Sequence, residues 1–181
     1  MSRVLPLFLL FAASVGLAAD PKIENLSAIA SNGKVSVRFG LANAFQSDEV
    51  VEGLRSGLPT SFTYDIEIFR DRPWWLDDGI SRSRIEVIST FNSVTREYLL
   101  NYRRDKKLVR SESFTDLATL QSRMTSIEEP DLFDVGSRRP QKLKVAVKAD
   151  LKRGLVFYVV PWAVSTGWRE TRVRIAESQT Q

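Results

Sequence analysis

The chain contains neither cysteine nor histidine among its 181 residues. Nucleophilic catalysis that relies on a histidine base is therefore excluded within this chain, and so is a zinc site built from cysteine or histidine ligands. Without cysteine there are no disulfides, so stability has to come from the burial of apolar side chains, which a chain of this length provides. We accordingly predict that the protein holds no cofactor and no metal.

The first nineteen residues differ in composition from the rest of the chain. A short basic start containing Arg3 is followed by an apolar run over residues 4–17 and by small residues up to Ala19. This layout predicts a secretory signal peptide over residues 1–19, because the apolar run is shorter than the roughly 20 residues that span a bilayer. An uncleaved membrane anchor is the alternative. Export of a chain without disulfides predicts a periplasmic location.

Alternation of apolar and polar residues dominates the remainder of the chain, which is the pattern of half-buried strands. It is clearest over residues 62–68, where Phe, Tyr and two Ile alternate with Thr, Asp and Glu. Asn32-Gly33 predicts a type I′ hairpin turn, because both central positions of that turn need positive φ. The predicted strands cover residues 23–31, 35–39, 62–68, 85–91, 96–103, 108–114, 143–149 and 168–176.

Two short helical segments interrupt the predicted strands. The first is predicted to begin after Ser47, a residue type that caps helices, and to end before Gly57. The second is predicted over residues 115–124. Ser113 and Asp116 precede its apolar positions with the spacing of a capping box, in which each side chain bonds to a free backbone amide.

These elements together predict the fold class. Short strands at regular spacing with few helices favour an all-β protein, an antiparallel β-sandwich with two short helices. No internal repeat or low-complexity linker divides the chain, so residues 20–176 are predicted to form a single domain. The last residues, 177–181, are predicted to be a disordered tail.

Carboxylate pairs are the remaining route to catalysis, since they can hydrolyse glycosides without histidine. Candidate acids occur at Asp77, at Asp78 and in the segment 128–134. All are predicted to lie in loops, where acidic side chains face water and nothing fixes the separation of a pair. A carboxylate enzyme stays as an alternative that requires two inward-facing acids in one cleft, but the prediction is that the protein is not an enzyme.

The stretch FRDRPWWLDDG, residues 69–79, carries the first set of candidate interaction residues. Pro73 cannot donate to a sheet ladder, so the preceding strand is predicted to end or bulge there. Successive side chains of an extended segment point to opposite faces, so one of Trp74 and Trp75 is left partly exposed near Arg72. An exposed tryptophan of this kind is typical of an interface anchor. The alternative is that both tryptophans cover the open end of the sandwich.

Basic residues form the second set of candidates. Lys142, Lys144 and Lys148 are predicted to line one face of a strand, and the pI is about 9.5. A basic face attracts acidic proteins and, weakly, an anionic membrane surface. Nucleic acid is not predicted as a partner, because the chain is exported and shows no aromatic stacking platform. The alternative is a solvated face that keeps an edge strand from pairing with its neighbours.

Several segments give the chain a resemblance to a known family. They are GLPTSFTYDIEIFRDRPWW, SRSRIEVISTFNSVTREYLL, FTDLATL, QKLKVAVKADL and PWAVSTGW, which follow one another along nearly the whole mature chain. In this order and spacing they resemble the DUF4390 family of bacterial exported proteins, a domain of unknown function. The family pattern of Gly-x-Pro, a long amphipathic strand and an end rich in Arg and Trp falls on residues 57–75. The chain departs from the pattern after Trp168, where the family continues with further aromatic residues.

The resemblance implies a periplasmic or membrane-associated β-rich domain without an assigned activity. It also implies a link to envelope signalling, because genes of the family stand beside a sensor kinase and a response regulator of the nitrogen-regulation type. We therefore predict a non-catalytic interaction module whose partner is an envelope or membrane protein, with a membrane sensor kinase as the candidate. The alternative is a lipid-binding or envelope-structural protein, whose sheets would part around a cavity lined by Phe, Ile and Leu.

Overall fold

The computed structural model describes residues 19–46, 48–71, 78–138, 140–153 and 163–176, and within them the chain is built mainly from β-strands. Two α-helices, α1 (Asp48–Arg55) and α2 (Leu117–Thr125), and a 3₁₀ turn at Pro140–Lys142 lie between the strands. The strands are β1 (Lys22–Ser31), β2 (Lys34–Ala42), β3 (Thr60–Arg70), β4 (Asp78–Asn92), β5 (Glu97–Arg104), β6 (Lys107–Phe114), β7 (Ser126–Asp134), β8 (Leu143–Arg153), β9 (Ala163–Ser165) and β10 (Arg169–Ile175).

These strands form one continuous sheet in the order β6-β5-β4-β3-β8-β10-β1-β2-β7, with β9 added beside β8. Within the described residues, neighbouring strands are antiparallel except for the pair β1 and β10. The sheet is curled, so that β2 packs against β3, with the ring centroids of Phe39 and Tyr64 5.2 Å apart. The predicted all-β antiparallel fold with two short helices is confirmed, and its two layers are parts of a single sheet.

Alternation along β3 and β8 creates the centre of the core. The apolar residues at alternate positions of 62–68 are completely buried, whereas Asp65 between them is partly exposed on the outer face. Each large apolar side chain buried in this way contributes about 1.5–3 kcal/mol relative to exposure. On the adjacent strand β8 the matching core residues are Leu143, Val145, Val147 and Ala149.

The predicted hairpin turn between β1 and β2 is confirmed by its backbone angles. Asn32 has a φ of 49° and Gly33 a φ of 75°, as a type I′ turn requires. A side chain at Gly33 would also be crowded, because its Cβ would lie 3.1 Å from the carbonyl oxygen of Gly136. The amide of Val135 donates to the carbonyl of Gly33 at 2.8 Å, so this turn is fastened to the segment that follows β7.

Strand β7 and the short strand β9 are elements that the sequence pattern did not predict. The acids of residues 128–134 were expected in loops, and that prediction is wrong, because this segment pairs with β2 as the last strand of the sheet. Pro130 and Asp131, whose φ is 52°, interrupt the strand, and the register with β2 shifts at the same place. Ile127 and Phe133 are in phase and both buried, but the two positions of the same phase between them hold acids, the buried Glu129 and the exposed Asp131, which hides the period of two.

Helix α2 begins at a different capping residue from the one predicted. Asp116 itself is the N-cap, and its carboxylate accepts hydrogen bonds from the amides of Ala118 at 3.3 Å and Thr119 at 2.7 Å. Ser113 belongs to β6, so the predicted capping box does not form. The hydrogen bonds from Thr119 lower the pKa of Asp116.

We expect Asp116→Ala to lower the thermal midpoint of unfolding, because two amides at the start of α2 lose their acceptor. Ser113→Ala is the matched control and should leave the midpoint unchanged. Since the pKa of Asp116 is lowered on folding, its contribution is present above about pH 4 and is lost as the pH falls through the folded value. The thermal midpoints of the unmodified protein and of Asp116→Ala should therefore converge in strong acid. Equal effects of Asp116→Ala and Ser113→Ala would contradict the assignment of Asp116 as the N-cap.

Several predicted segments lie wholly or mainly outside the described residues. These are the signal peptide apart from Ala19, the tail at 177–181 and the capping residue Ser47, so the predicted domain boundaries stay predictions. In the described part of the chain no helix is long and apolar enough to cross a membrane.

Candidate functional site

The first predicted site falls on residues that the structure does not describe. Arg72, Trp74 and Trp75 lie between the described ranges that end at Asp71 and begin at Asp78. Their role as an interface anchor therefore stays a prediction.

The second predicted site, the lysine row, is placed by the structure in two different environments. Lys144 and Lys148 lie on the outer face of β8 and are both paired with acids. The Nζ atom of Lys144 is 3.1 Å from Asp71 and 3.7 Å from Glu170, and that of Lys148 is 3.4 Å from Asp150. The row is therefore largely neutralised along the strand and does not form a continuous basic face.

Lys142 stands apart from the other two lysines. It lies in the 3₁₀ turn before β8 and is exposed, so its predicted place on a strand face is wrong. There it borders a cavity of about 240 Å³ together with Arg70 and Arg138. The alternative role of the lysines, protection of an edge strand, is also wrong, because β8 lies between β3 and β10 inside the sheet.

The outer face of β3 and β4 carries a ladder of paired charges. Arg84 of β4 contacts Asp65 of β3 at two points, with Nε 2.7 Å from Oδ1 and Nη2 3.1 Å from Oδ2. The side-chain hydrogen bond to Asp65 raises the pKa of Arg84. Two-point contact fixes the relative orientation of the guanidinium and the carboxylate. Arg82 and Glu67 form the next rung at 4.0 Å.

A cavity of about 420 Å³ opens beside this charge ladder, and Trp168 forms part of its wall. Trp168 is 49% exposed although it comes directly before β10. Val173 of β10 faces the core, and alternation back from it places residue 168 on the outer face. The charged residues around the cavity are Asp65, Glu67, Arg82, Arg84, Asp105 and Lys106.

The tip of the β5–β6 hairpin is fastened to the rim of this cavity. The carboxylate of Asp105 accepts hydrogen bonds from the amide of Arg84 at 2.8 Å and from the hydroxyl of Ser83 at 3.1 Å. The hairpin tip and the charge ladder are thus held as one rigid unit. An indole in such a frame offers a large apolar surface surrounded by fixed charges of both signs, which suits contact with another protein.

The sequence did not single out Trp168 as a site residue. Its place at the start of a predicted strand favours burial, and tryptophan next to a strand is usually core. The signal was the alternation RETRVRI, in which Val173 is the only large apolar residue before Ile175. Because side chains alternate between the two faces of a strand, residue 168 points to the face opposite Val173, which is the outer face.

A second arrangement, the buried polar cluster of Tyr102, Arg104 and Glu129, links β5 to β7 across the interior. Glu129 is 4% exposed, and its Oε1 accepts a short hydrogen bond from the hydroxyl of Tyr102. The Nε of Arg104 is 3.4 Å from Oε2, which accepts no hydrogen bond within the described residues. Burial, reinforced by the bond to Glu129, raises the pKa of Tyr102. The guanidinium of Arg110 lies 4.3 Å from the centre of the Tyr102 ring.

The chemistry of this cluster is that of a structural link. Its one buried acid is engaged by a tyrosine and an arginine. The carboxylate-enzyme alternative requires a second inward-facing acid in the same cleft, which these contacts do not supply. Among the residues that the structure describes, no group of three acids is placed to hold a metal ion.

The lipid-binding alternative requires a large apolar cavity. The cavities whose linings the structure describes are bordered mainly by charged, polar or turn residues, including one of about 320 Å³ at the β1–β2 turn and one of about 440 Å³ at the β4–β5 turn. None of these is lined mainly by Phe, Ile and Leu.

Comparison with known proteins identifies the family to which the chain belongs. A family model described as a domain of unknown function (DUF4390) matches residues 18–170, a range that contains Trp168 and the whole buried polar cluster. No curated protein and no solved structure matches the chain. The resemblance seen in the sequence segments is confirmed, and the chain belongs to the DUF4390 family.

Proposed function

We propose that the protein is a non-catalytic periplasmic interaction module that binds an envelope or membrane protein through the outer face around Trp168. The observation that carries the proposal is the half-exposed Trp168 in the wall of a cavity framed by fixed charges. Tryptophan is enriched among the residues that dominate binding energy at protein interfaces. Water contact at an indole of this size is unfavourable, so its burial by a partner would be a gain.

The charges around Trp168 favour a protein partner over a lipid surface. A lipid surface that attracts this protein would be anionic and would call for unpaired basic residues. Here Arg84 is paired with Asp65 and Arg82 lies near Glu67, so the rim of the cavity presents both signs. A polypeptide segment with an apolar side chain flanked by acidic and basic ones complements such a rim.

The periplasmic location and the membrane partner belong to this proposal and rest on the sequence. The composition of residues 1–19 supports export. The resemblance to the family supports a membrane sensor kinase as the partner. Removal of the predicted signal peptide takes Arg3 with it and lowers the formal net charge from +4 to +3, and this positive charge would speed the approach to an acidic partner domain.

The test is site-specific photo-crosslinking in living cells. A photoreactive phenylalanine analogue replaces Trp168 in one strain and Val94 in a second. Val94 is the matched control, because it is an exposed apolar residue in the β4–β5 turn and does not line the cavity. We expect position 168 to yield a specific adduct with one envelope or membrane protein, identified by mass spectrometry, and position 94 to yield none.

A second pair of variants separates binding from folding. Trp168→Ala should abolish recovery of the same partner in a pull-down. Ile175→Ala should not abolish it, and Ile175 is a suitable control because it is an exposed apolar residue at the end of β10. Circular dichroism and thermal melts should show both variants folded. Partner recovery that survives Trp168→Ala, or adducts of equal yield at positions 168 and 94, would refute the proposed face.

A further inference from the structure

Strand β6 is an open edge of the sheet. It is the first strand in the sheet order and pairs with β5 alone among the described strands. No described strand pairs with the backbone groups along its other side, where a further strand could add. Two exposed apolar residues lie on this strand: Leu108 is 61% exposed and Val109 is 49% exposed.

The opposite edge of the sheet is built differently. Strand β7 carries Pro130, which has no amide to donate, and Asp131 with its positive φ breaks the regular backbone. Both features block the addition of a strand. The β6 sequence KLVRSESF contains neither proline nor glycine. The backbone of β7 thus closes one edge of the sheet, whereas the backbone of β6 is interrupted only by the register shift at Val109.

The charges of β6 have an order that a second copy complements. Arg110, Ser111 and Glu112 are consecutive. When two copies of β6 pair in antiparallel fashion about Ser111, Arg110 of each copy lies opposite Glu112 of the other, and serine meets serine at the two-fold axis. Charged residues on an edge usually prevent self-pairing because like charges meet. Within each copy Arg110 and Glu112 already lie 3.3 Å apart, and Glu112 also lies 3.8 Å from Arg123. In this register opposite charges meet across the axis, so the two internal pairs would join into one cluster of alternating charge.

We propose that β6 is a homodimerisation edge, at which two copies of the chain join their sheets through antiparallel β6 strands around a two-fold axis at Ser111. The regular ladder is short, because the register of β6 with β5 shifts between Tyr102 and Arg103 and leaves a bulge at Val109. The exposed side chains of Leu108 and Val109 then flank the paired segment and lose contact with water. A symmetric pairing of this kind uses the same patch on both copies.

The proposed two-fold axis at Ser111 lies away from the face around Trp168, although the hairpin tip at Asp105 and Lys106, which borders the cavity, directly precedes β6. Strand β10, which follows Trp168, is separated from β6 by β5, β4, β3 and β8 in the sheet order, and Ser111 does not line the cavity. A monomeric protein that still crosslinks through position 168 would overturn the dimer and leave the proposed function standing.

A disulfide trap tests the register directly, because the chain has no cysteine of its own. In the proposed dimer the two copies of residue 111 lie opposite each other, with Cβ atoms about 4.5–5.5 Å apart, close to the range that a disulfide bridges. The two copies of residue 113 are offset by four residues, roughly 13 Å along the strand, which is too far. We expect mild oxidation to link Ser111→Cys into covalent dimers at several times the yield of Ser113→Cys. Equal yields, or no dimer from Ser111→Cys, would overturn the proposal.

Charge substitution at the axis gives an independent readout by sedimentation velocity over a concentration series. The purified protein should associate reversibly, and Ser111→Lys and Ser111→Glu should each weaken association several-fold because like charges meet. An equimolar mixture of the two variants should regain association through Lys–Glu pairs, which a mere folding defect would not allow. Ser93→Lys, in the β4–β5 turn, is the surface control and should associate like the unmodified chain. A protein that stays monomeric at every concentration, or a mixture that does not recover, would overturn the dimer.

Discussion

Glu129→Ala is expected to lower the free energy of unfolding by about 2–4 kcal/mol. The change leaves the buried hydroxyl of Tyr102 without its acceptor and removes the counter-charge of Arg104 at 3.4 Å. An exposed acid could not have this effect, because water would replace the lost contacts. The expected loss of stability is not larger than this range because Arg104 is about one-third exposed, so water can solvate its charge once Glu129 is removed. Urea denaturation at neutral pH, followed by circular dichroism, measures the difference.

The neighbouring residue provides the matched control. Glu128 also lies on β7 and is also paired with an arginine, Arg38, but both side chains of that pair are 65% exposed. Glu128→Ala should therefore change stability by no more than about 1 kcal/mol. If the two substitutions had equal effects, the interior contacts of Glu129 would not be the source of the stability.

A double-mutant cycle locates the effect within the cluster. Tyr102→Phe removes the hydroxyl that donates to Glu129 while it keeps the ring beneath Arg110. Because the two residues share one hydrogen bond, the double variant should be less destabilised than the sum of the single variants. Simple additivity would show that Tyr102 and Glu129 contribute through separate contacts.

The regular strands of this fold were predictable because local pattern and tertiary environment agree in them. Residues 62–68 alternate strictly, and the sheet buries the apolar half of that pattern completely. Asn32-Gly33 predicted its turn for a purely local reason, the need for positive φ at two successive positions. In such segments nothing from a distant part of the chain overrides the local preference.

The candidate site was largely unpredictable because it depends on contacts between distant segments. Glu129 resembles a loop acid in the sequence, and only the pairing of β7 with β2 and the packing against β5 bring it to Tyr102. The exposure of Trp168 depends on how β10 is aligned with β8. The parallel pairing of β1 with β10 joins residues about 145 positions apart, and no local pattern encodes it.

Helix α2 connects the two terminal strands of the sheet, β6 and β7, and two buried hydrogen bonds hold this region against the interior. One is the contact between Tyr102 and Glu129. The other runs from the hydroxyl of Tyr64 on β3 to the carbonyl oxygen of Met124 in α2, at 2.7 Å. The last carbonyls of a helix have no partner inside the helix, so the tyrosine satisfies a group that would otherwise be buried and unpaired.

Tyr64→Phe is accordingly expected to lower the free energy of unfolding by about 1–3 kcal/mol, and Tyr64→Ala by about 3–5 kcal/mol. The first change leaves only the carbonyl of Met124 unsatisfied. The second also removes a completely buried ring and its edge contact with Phe39. Tyr98→Phe is the control, because the hydroxyl of Tyr98 makes no hydrogen bond among the described residues, and it should be nearly neutral. Equal effects of Tyr64→Phe and Tyr98→Phe would contradict the role of the Tyr64 hydroxyl.

Because of the same hydroxyl, the deficit of Tyr64→Phe, which is its loss in free energy of unfolding relative to the unmodified protein, depends on pH. Burial raises the pKa of Tyr64 well above the ordinary tyrosine value, which is about 10. Above that pH the unfolded chain releases the phenolic proton while folded Tyr64 keeps it, so the stability of the unmodified protein falls as the pH rises, by up to about 1.4 kcal/mol per pH unit. The phenylalanine variant lacks this proton, and the other tyrosines are the same in both proteins. Urea denaturation at a series of pH values from neutral to about 11 should therefore show the deficit of Tyr64→Phe shrinking above pH 10, whereas a constant deficit would mean that the Tyr64 hydroxyl ionises as it does in water.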